Sequence, residues 1–151
     1  MNIISLDIDG LLNLKEYYKK VNMKIDNWDR FDPETVKLIK ALIEEFKAKI
    51  VITSSWRFGA KDLLFKELKK SQLLKHLYKN WETQMIYLGT RGEEINQWMA
   101  KHPEVNGYVI LDDRDDILPD QLTRFIKTNI ETGFKQEHYD KASNILRDSI
   151  C

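Results

Sequence analysis

The sequence predicts an α/β fold built on a mainly parallel sheet. Three observations point there. Short apolar, β-branched runs recur at 3–8, 49–53 and 108–113. Segments with helical spacing separate them. Each run also ends in acids or hydroxyls: Asp7 and Asp9, Thr53 and Ser54, Asp112 and Asp113. In open parallel sheets, ligands sit outside the carboxyl ends of the strands, so these side chains are expected to converge on one edge.

Taken in order, Ile3, Ile4, Leu6 and Ile8 form a buried strand that carries two acids and runs into Gly10. The stretch 14–31 mixes aromatics and charges without a period and is expected to be an irregular excursion. Asp32-Pro33-Glu34 then supplies an N-cap, a proline at the first helical position and a first-turn acid. Val36, Ile39, Leu42, Ile43 and Phe46 continue at helical spacing, which predicts a helix over 33–47. KIVIT (49–53) is a strand, and Leu63, Leu64 and Leu68 mark a helix over 60–70. A Lys-rich connector leads to MIYLG (85–89), read as a further strand. RGEEINQWMAKH (91–102) is helical with Ile95, Trp98 and Met99 inward, and stops at Pro103. YVILDD (108–113) and RFIKTN (124–129) are the last strands, and a helix over 136–149 closes the chain.

The 151 residues suit one domain spanning 1–151. Hydrophobic content of 42% and charged content of 32% describe a globular chain. Lys+Arg and Asp+Glu balance at 24 each, so no global basic field advertises nucleic acid. The single cysteine, Cys151, allows no internal disulfide and suits a reducing compartment. Its surroundings in sequence hold no activating partner, so it reads as an incidental thiol. No segment approaches the roughly 18 apolar residues of a membrane span, and no basic n-region marks a signal peptide. The chain is expected to be cytoplasmic.

Phosphoryl transfer explains the polar strand ends. An anionic nucleophile meets a phosphoryl group only where cations neutralise the site. Mg²⁺ takes about six oxygen ligands, a few of them carboxylates. Asp7 suits both metal ligand and nucleophile, passing through an aspartyl-phosphate. Asp9, two residues on and so on the same side of a strand, suits metal ligand and general acid–base. Gly10 lets the backbone turn away. Thr53 and Ser54 offer a hydroxyl and N–H groups to phosphate oxygens, and Arg91 a fixed positive charge. Asp112 or Asp113 completes the metal shell.

The combination LDIDG, VITSSWR, RGEEINQW and VILDD, in that order, resembles the four motifs of the haloacid dehalogenase (HAD) superfamily of phosphatases. With the late TGF at 132–134 it is similar to a small subgroup that includes domains of nucleic-acid repair proteins. The resemblance covers about residues 3–134 and implies a Rossmann-like three-layer sandwich. Two departures stand out. The subgroup's TGLT reads Thr132-Gly133-Phe134-Lys135 here, and LDDRDD offers Asp112, Asp113, Asp115 and Asp116 for one acidic motif. Superfamily members often insert a cap domain, but only 45 residues lie between Asp7 and Thr53 and 37 between Thr53 and Arg91. A minimal cap implies an open site suited to bulky substrates such as a nucleic-acid end.

Plainer readings stand beside these. Asp9-Gly10 also describes an ordinary turn, and Arg91 also suits a loop residue paired with Glu93 or Glu94. Trp56 reads as packing the strand-to-helix turn, with substrate contact by Trp56-Arg57 as the alternative, and Trp98 reads as core. His76, His102 and His138 lack ligand spacing and read as surface residues. Six lysines against Asp62 and Glu67 over 60–79 read first as a solvated helix face, and second as a ledge guiding a phosphate backbone. The function expected is Mg²⁺-dependent phosphatase action on a nucleic-acid end or nucleotide. The rivals are a catalytically idle module binding phosphorylated or nucleic-acid partners, and a small-metabolite phosphatase.

Overall fold

The computed structural model describes residues 1–23 and 30–149. Five strands form one sheet: β1 (Asn2–Leu6), β2 (Lys49–Ile52), β3 (Leu77–Glu82), β4 (Gly107–Asp112) and β5 (Phe125–Lys127). Their spatial order is β3-β2-β1-β4-β5, and every pairing is parallel. Among the described residues six α-helices connect or follow them: α1 (Lys15–Lys20), α2 (Pro33–Phe46), α3 (Trp56–Gly59), α4 (Lys61–Lys70), α5 (Arg91–Ala100) and α6 (Gln136–Asp148). The chain winds outward from β1 to β3, then crosses to β4 on the other side. That reversal makes the β1/β4 junction the topological switch point, where side chains beyond the strand ends face a crevice.

Pleat alternation sorts the core into two layers. Ile4, Leu6, Ile50, Ile52, Val109 and Leu111 point to one face and pack with Leu42 and Ile43 of α2, Leu64 and Leu68 of α4, and Ala142 and Leu146 of α6. Ile3 and Val51 point to the other face, against Trp98 of α5. Helix α2 starts as its sequence dictates. The Asp32 carboxylate accepts from the Glu34 and Thr35 amides, and the helix ends one residue early where Lys47 turns left-handed (φ 50°).

The sheet departs from the sequence reading at its edge. Residues 85–89 form no strand, and β3 lies instead in the stretch read as a connector. An edge strand has one neighbour and needs little apolar surface, so Lys79 and Asn80 do not disqualify it. Its pairing to β2 is also irregular: Ile50 opposes Leu77 while Ile52 opposes Glu82, so β3 bulges between them. The 14–31 excursion contains one short helix, α1, and its residues 24–29 lie outside the described residues, as does Cys151.

Candidate active site

Strand register brings the acids together. Leu6 pairs with Leu111, and the Asp7 amide donates to the Leu111 carbonyl at 3.0 Å. Asp7 and Asp112 therefore leave neighbouring strand ends side by side. One carboxylate oxygen from each of Asp7, Asp112 and Asp113 lies within 4.8 Å of the others. Gly10 makes room for the third: it sits at φ +73°, and a Cβ there would meet the Asp113 Oδ2 at 2.5 Å.

Three clustered carboxylates repel one another, and Asp7 and Asp112 are buried besides. Burial, then the charge of Asp112, holds the Asp7 carboxyl well above its usual range, with Arg91 opposing. Burial likewise pushes Asp112 up to about 6, again against Arg91. Asp113 is raised mainly by burial, with Asp9 adding to it. The guanidinium of Arg91 reaches in from the first turn of α5, its Nε 3.0 Å from the Asp112 Oδ2 and a terminal nitrogen 3.6 Å from the Asp7 Oδ1. Yet neither Arg91 Nε nor Asp112 Oδ2 makes an aligned hydrogen bond. The contact is one of charge at short range, and it leaves a buried oxygen unsatisfied.

A cation fits this set. The donors are hard carboxylate oxygens of the kind Mg²⁺ selects. One guanidinium does not balance three carboxylates, and the orphaned Asp112 Oδ2 has capacity to accept. Asp116 is not part of the trio: its carboxylate accepts from the Arg91 amide at 3.1 Å and pairs with Arg114 at 2.6 Å. Asp115 pairs with Lys127. The over-supplied LDDRDD motif thus divides between the trio and the anchoring of nearby segments.

Asp9, expected beside the trio, is held differently. Strand β1 ends at Leu6, so strand alternation no longer governs Asp9, and its carboxylate lies outside the trio. It accepts from Asn13 Nδ2 at 2.7 Å and from the Trp56 indole at 3.1 and 3.2 Å. Trp56 therefore does more than pack: its N–H holds Asp9 at the edge of the site.

Thr53 follows β2 next to the Asp7 position, its amide donating to the Leu6 carbonyl at 3.0 Å. Its Oγ1 is buried without a hydrogen-bond partner. Ser54, also buried, uses its hydroxyl oxygen to accept from the Trp56 amide. Arg57 shapes this loop from beneath. It is buried, donates to the carbonyls of Thr53, Ser54 and Thr83, and pairs with Glu94 at 2.7 Å. Burial pulls its guanidinium down and Glu94 opposes that. Only the SSWR string hinted at Trp56 and Arg57, because nothing along the chain shows what a side chain 37 or 47 residues away will meet.

Other groups stand apart. The late TGF is a buttress: Phe134 is fully buried, and its carbonyl accepts from the Thr35 hydroxyl. The histidines correct the surface reading in part. His102 is buried and stacked on Trp98 at 3.7 Å, and His138 is buried against Phe134. Both fill apolar contacts with aromatic neighbours, which helical spacing alone does not reveal. No described helix is long and apolar enough to cross a membrane.

A family model described as "HAD domain in Swiss Army Knife RNA repair proteins" matches residues 3–139. No curated protein and no solved structure matches the chain.

Proposed function

We propose that this chain, which belongs to the family of HAD domains in Swiss Army Knife RNA repair proteins, is a Mg²⁺-dependent phosphomonoesterase acting on nucleic-acid ends. The HAD fold and a phosphatase-like function follow from the family. The metal, the residue roles and the substrate are our reading. The observation that carries it is the buried trio of Asp7, Asp112 and Asp113 at the switch point, faced by Arg91.

Asp7, Asp112 and Asp113 would hold Mg²⁺, which would supply charge neutralisation for a phosphate monoester that is a dianion near neutral pH. The Asp7 carboxylate attacks phosphorus. The bond to the leaving oxygen breaks, and that oxygen takes the electron pair together with a proton from Asp9. Water then attacks the acyl-phosphate phosphorus, Asp9 takes its proton, and Asp7 is released with inorganic phosphate. Thr53 Oγ1, otherwise without a partner, donates to a phosphate oxygen. Arg91 stabilises the equatorial charge. The Trp56 N–H keeps Asp9 directed at the leaving group. Arg57, tied to three carbonyls, keeps the Thr53–Ser54 turn rigid.

Phosphate release from an aryl phosphate, nucleotides, sugar phosphates and 3′- or 5′-phosphorylated oligonucleotides tests this, with and without Mg²⁺ and in Asp7→Asn. Release that needs Mg²⁺ and disappears in Asp7→Asn is expected, with an oligonucleotide end as the best substrate. Release that persists in Asp7→Asn overturns the nucleophile. A sugar phosphate as the best substrate moves the chain to metabolite hydrolysis.

A further inference from the structure

The segment between β3 and the first turn of α5 ends at Arg91 and is built unlike a discarded loop. Ile86–Gly89 closes as a tight turn, the Gly89 amide donating to the Ile86 carbonyl at 2.9 Å. Leu88 at its tip is left-handed (φ 57°), a conformation that leucine rarely adopts. The turn holds Tyr87 and Leu88 at 89% and 90% exposure, with Met85 at 67%. Large apolar groups concentrated on one tip a few residues before Arg91 mark a contact surface.

Just before the turn in the chain, Gln84 lines a groove of about 370 Å³ between the bulged edge strand β3 and the last turns of α5. That volume falls in the range of small-ligand sites. Lys79 and Lys101 line it with Trp81 and the amides of Gln84 and Gln97. Its one carboxylate, Glu82, is paired with Lys61 at 3.5 Å. The charge left over is positive, and the amides carry both donors and acceptors.

The groove is linked to the site along β3 and α5. Glu82 opposes Ile52, directly before Thr53. Helix α5 starts at Arg91 and its Gln97 lies about 9 Å further along the axis. Tyr87 is four residues before Arg91, so their Cα atoms are at most about 14 Å apart. At roughly 3.4 Å per stacked nucleotide, those spans correspond to the first few nucleotides behind a terminal phosphate.

We infer that the Tyr87 turn and the β3–α5 groove form a track for a single-stranded nucleic acid, with a base stacked on Tyr87 and the phosphodiester backbone passing Lys79 and Lys101. This rests on the phosphatase reading for its direction, since the track leads the chain's end to Arg91 and Asp7. An exposed aromatic face, two lysines and base-matching amides suit a polynucleotide better than an acidic peptide, which needs no stacking platform.

Two measurements test the track. The first is binding of a fluorescent 12-nucleotide RNA to Asp7→Asn protein across salt concentrations, with Tyr87→Ala and Lys79→Ala/Lys101→Ala added in turn and a phosphoserine peptide as the second probe. Tyr87→Ala should weaken RNA binding about ten-fold. The double lysine variant should flatten the slope of log affinity against log salt by about 1.4. The second is the ratio of kcat/KM for the phosphorylated RNA to that for an aryl phosphate, which should fall about ten-fold in either variant. Losses under two-fold in both measurements overturn the track while leaving aryl phosphate hydrolysis as evidence for the phosphatase. The same holds if peptide binding responds and RNA binding does not. If no phosphate is released from any substrate, the phosphatase reading fails and the binding arm still decides the track.

Discussion

Asp112 shows at a single residue how burial and function oppose each other. Its carboxylate is fully buried beside two others, and its pKa rises from 3.8 to about 6. The folded chain therefore binds a proton that the unfolded chain has released between those values. The stability this proton contributes is present below the unfolded pKa and lost as pH rises through the folded one. The metal-free protein should thus be less stable at pH 7.5 than at pH 4.5 by an amount that Asp112→Asn removes, about 2 kcal/mol. Urea unfolding of both proteins in EDTA at the two pH values measures it. A wild-type-to-variant gap that does not change with pH would sink the assignment. Asp7 sits in the same environment, so the trio as a whole trades stability for a place to hold positive charge.

The element that most shapes the site is the turn after β2. KIVIT ends in Thr53, and α3 and α4 follow with Arg57 folded back under the loop, its bonds reaching the Thr83 carbonyl after β3 and Glu94 in α5. One guanidinium thereby couples three segments, since Arg presents five donors in a rigid fork. Arg57→Met should cost about 3–5 kcal/mol, because it strands the Glu94 carboxylate in a buried position as well as three carbonyls. The Arg57→Met/Glu94→Gln pair should recover part of that, which a double-mutant cycle in urea reads directly. A single-variant loss below about 1 kcal/mol would show the pair to be incidental. Helix α5 is placed with similar economy at its start. A Cβ on Gly92 would meet the Leu118 amide nitrogen at 2.5 Å, so only glycine lets Arg91 enter at that depth.

For the whole molecule, the carboxylate trio belongs to the folded state alone. Asp7 and Asp112 come from strands separated by about two thirds of the chain and meet only through β1–β4 pairing. An unfolded chain offers no such cluster, so Mg²⁺ should stabilise by mass action. At a hundred-fold excess over Kd that is about 2.7 kcal/mol, or about 5–10 °C in Tm for a chain of this size. Differential scanning across Mg²⁺ concentrations at pH 7.5 checks it. Asp7→Asn should shrink the shift, and an equal shift in the variant would place the ion elsewhere. Among the described residues, the segment 83–90 between β3 and α5 holds the Ile86–Gly89 turn and no further helix or strand.

What the sequence by itself determined was everything that depends on neighbours along the chain. The apolar period of α2, its Asp32 cap, the runs that became β1, β2 and β4, and the acids that close them are local patterns. With parallel crossovers they were enough to bring Asp7, Thr53, Arg91 and Asp112 to one sheet edge. Only the tertiary structure decided what depends on partners across space. It moved the edge strand from 85–89 to Leu77–Glu82, because an edge is chosen by its neighbour and not by its own hydrophobicity. It divided LDDRDD between Asp113 in the trio and Asp116 at the start of α5. It turned Asp9 toward Trp56 once β1 had ended, it set Arg57 against Glu94, and it buried His102 and His138, whose polarity reads as surface until an aromatic ring is found beside them. Charge and hydrogen-bond satisfaction act over a few ångströms in any direction, and the chain order records only one of those directions.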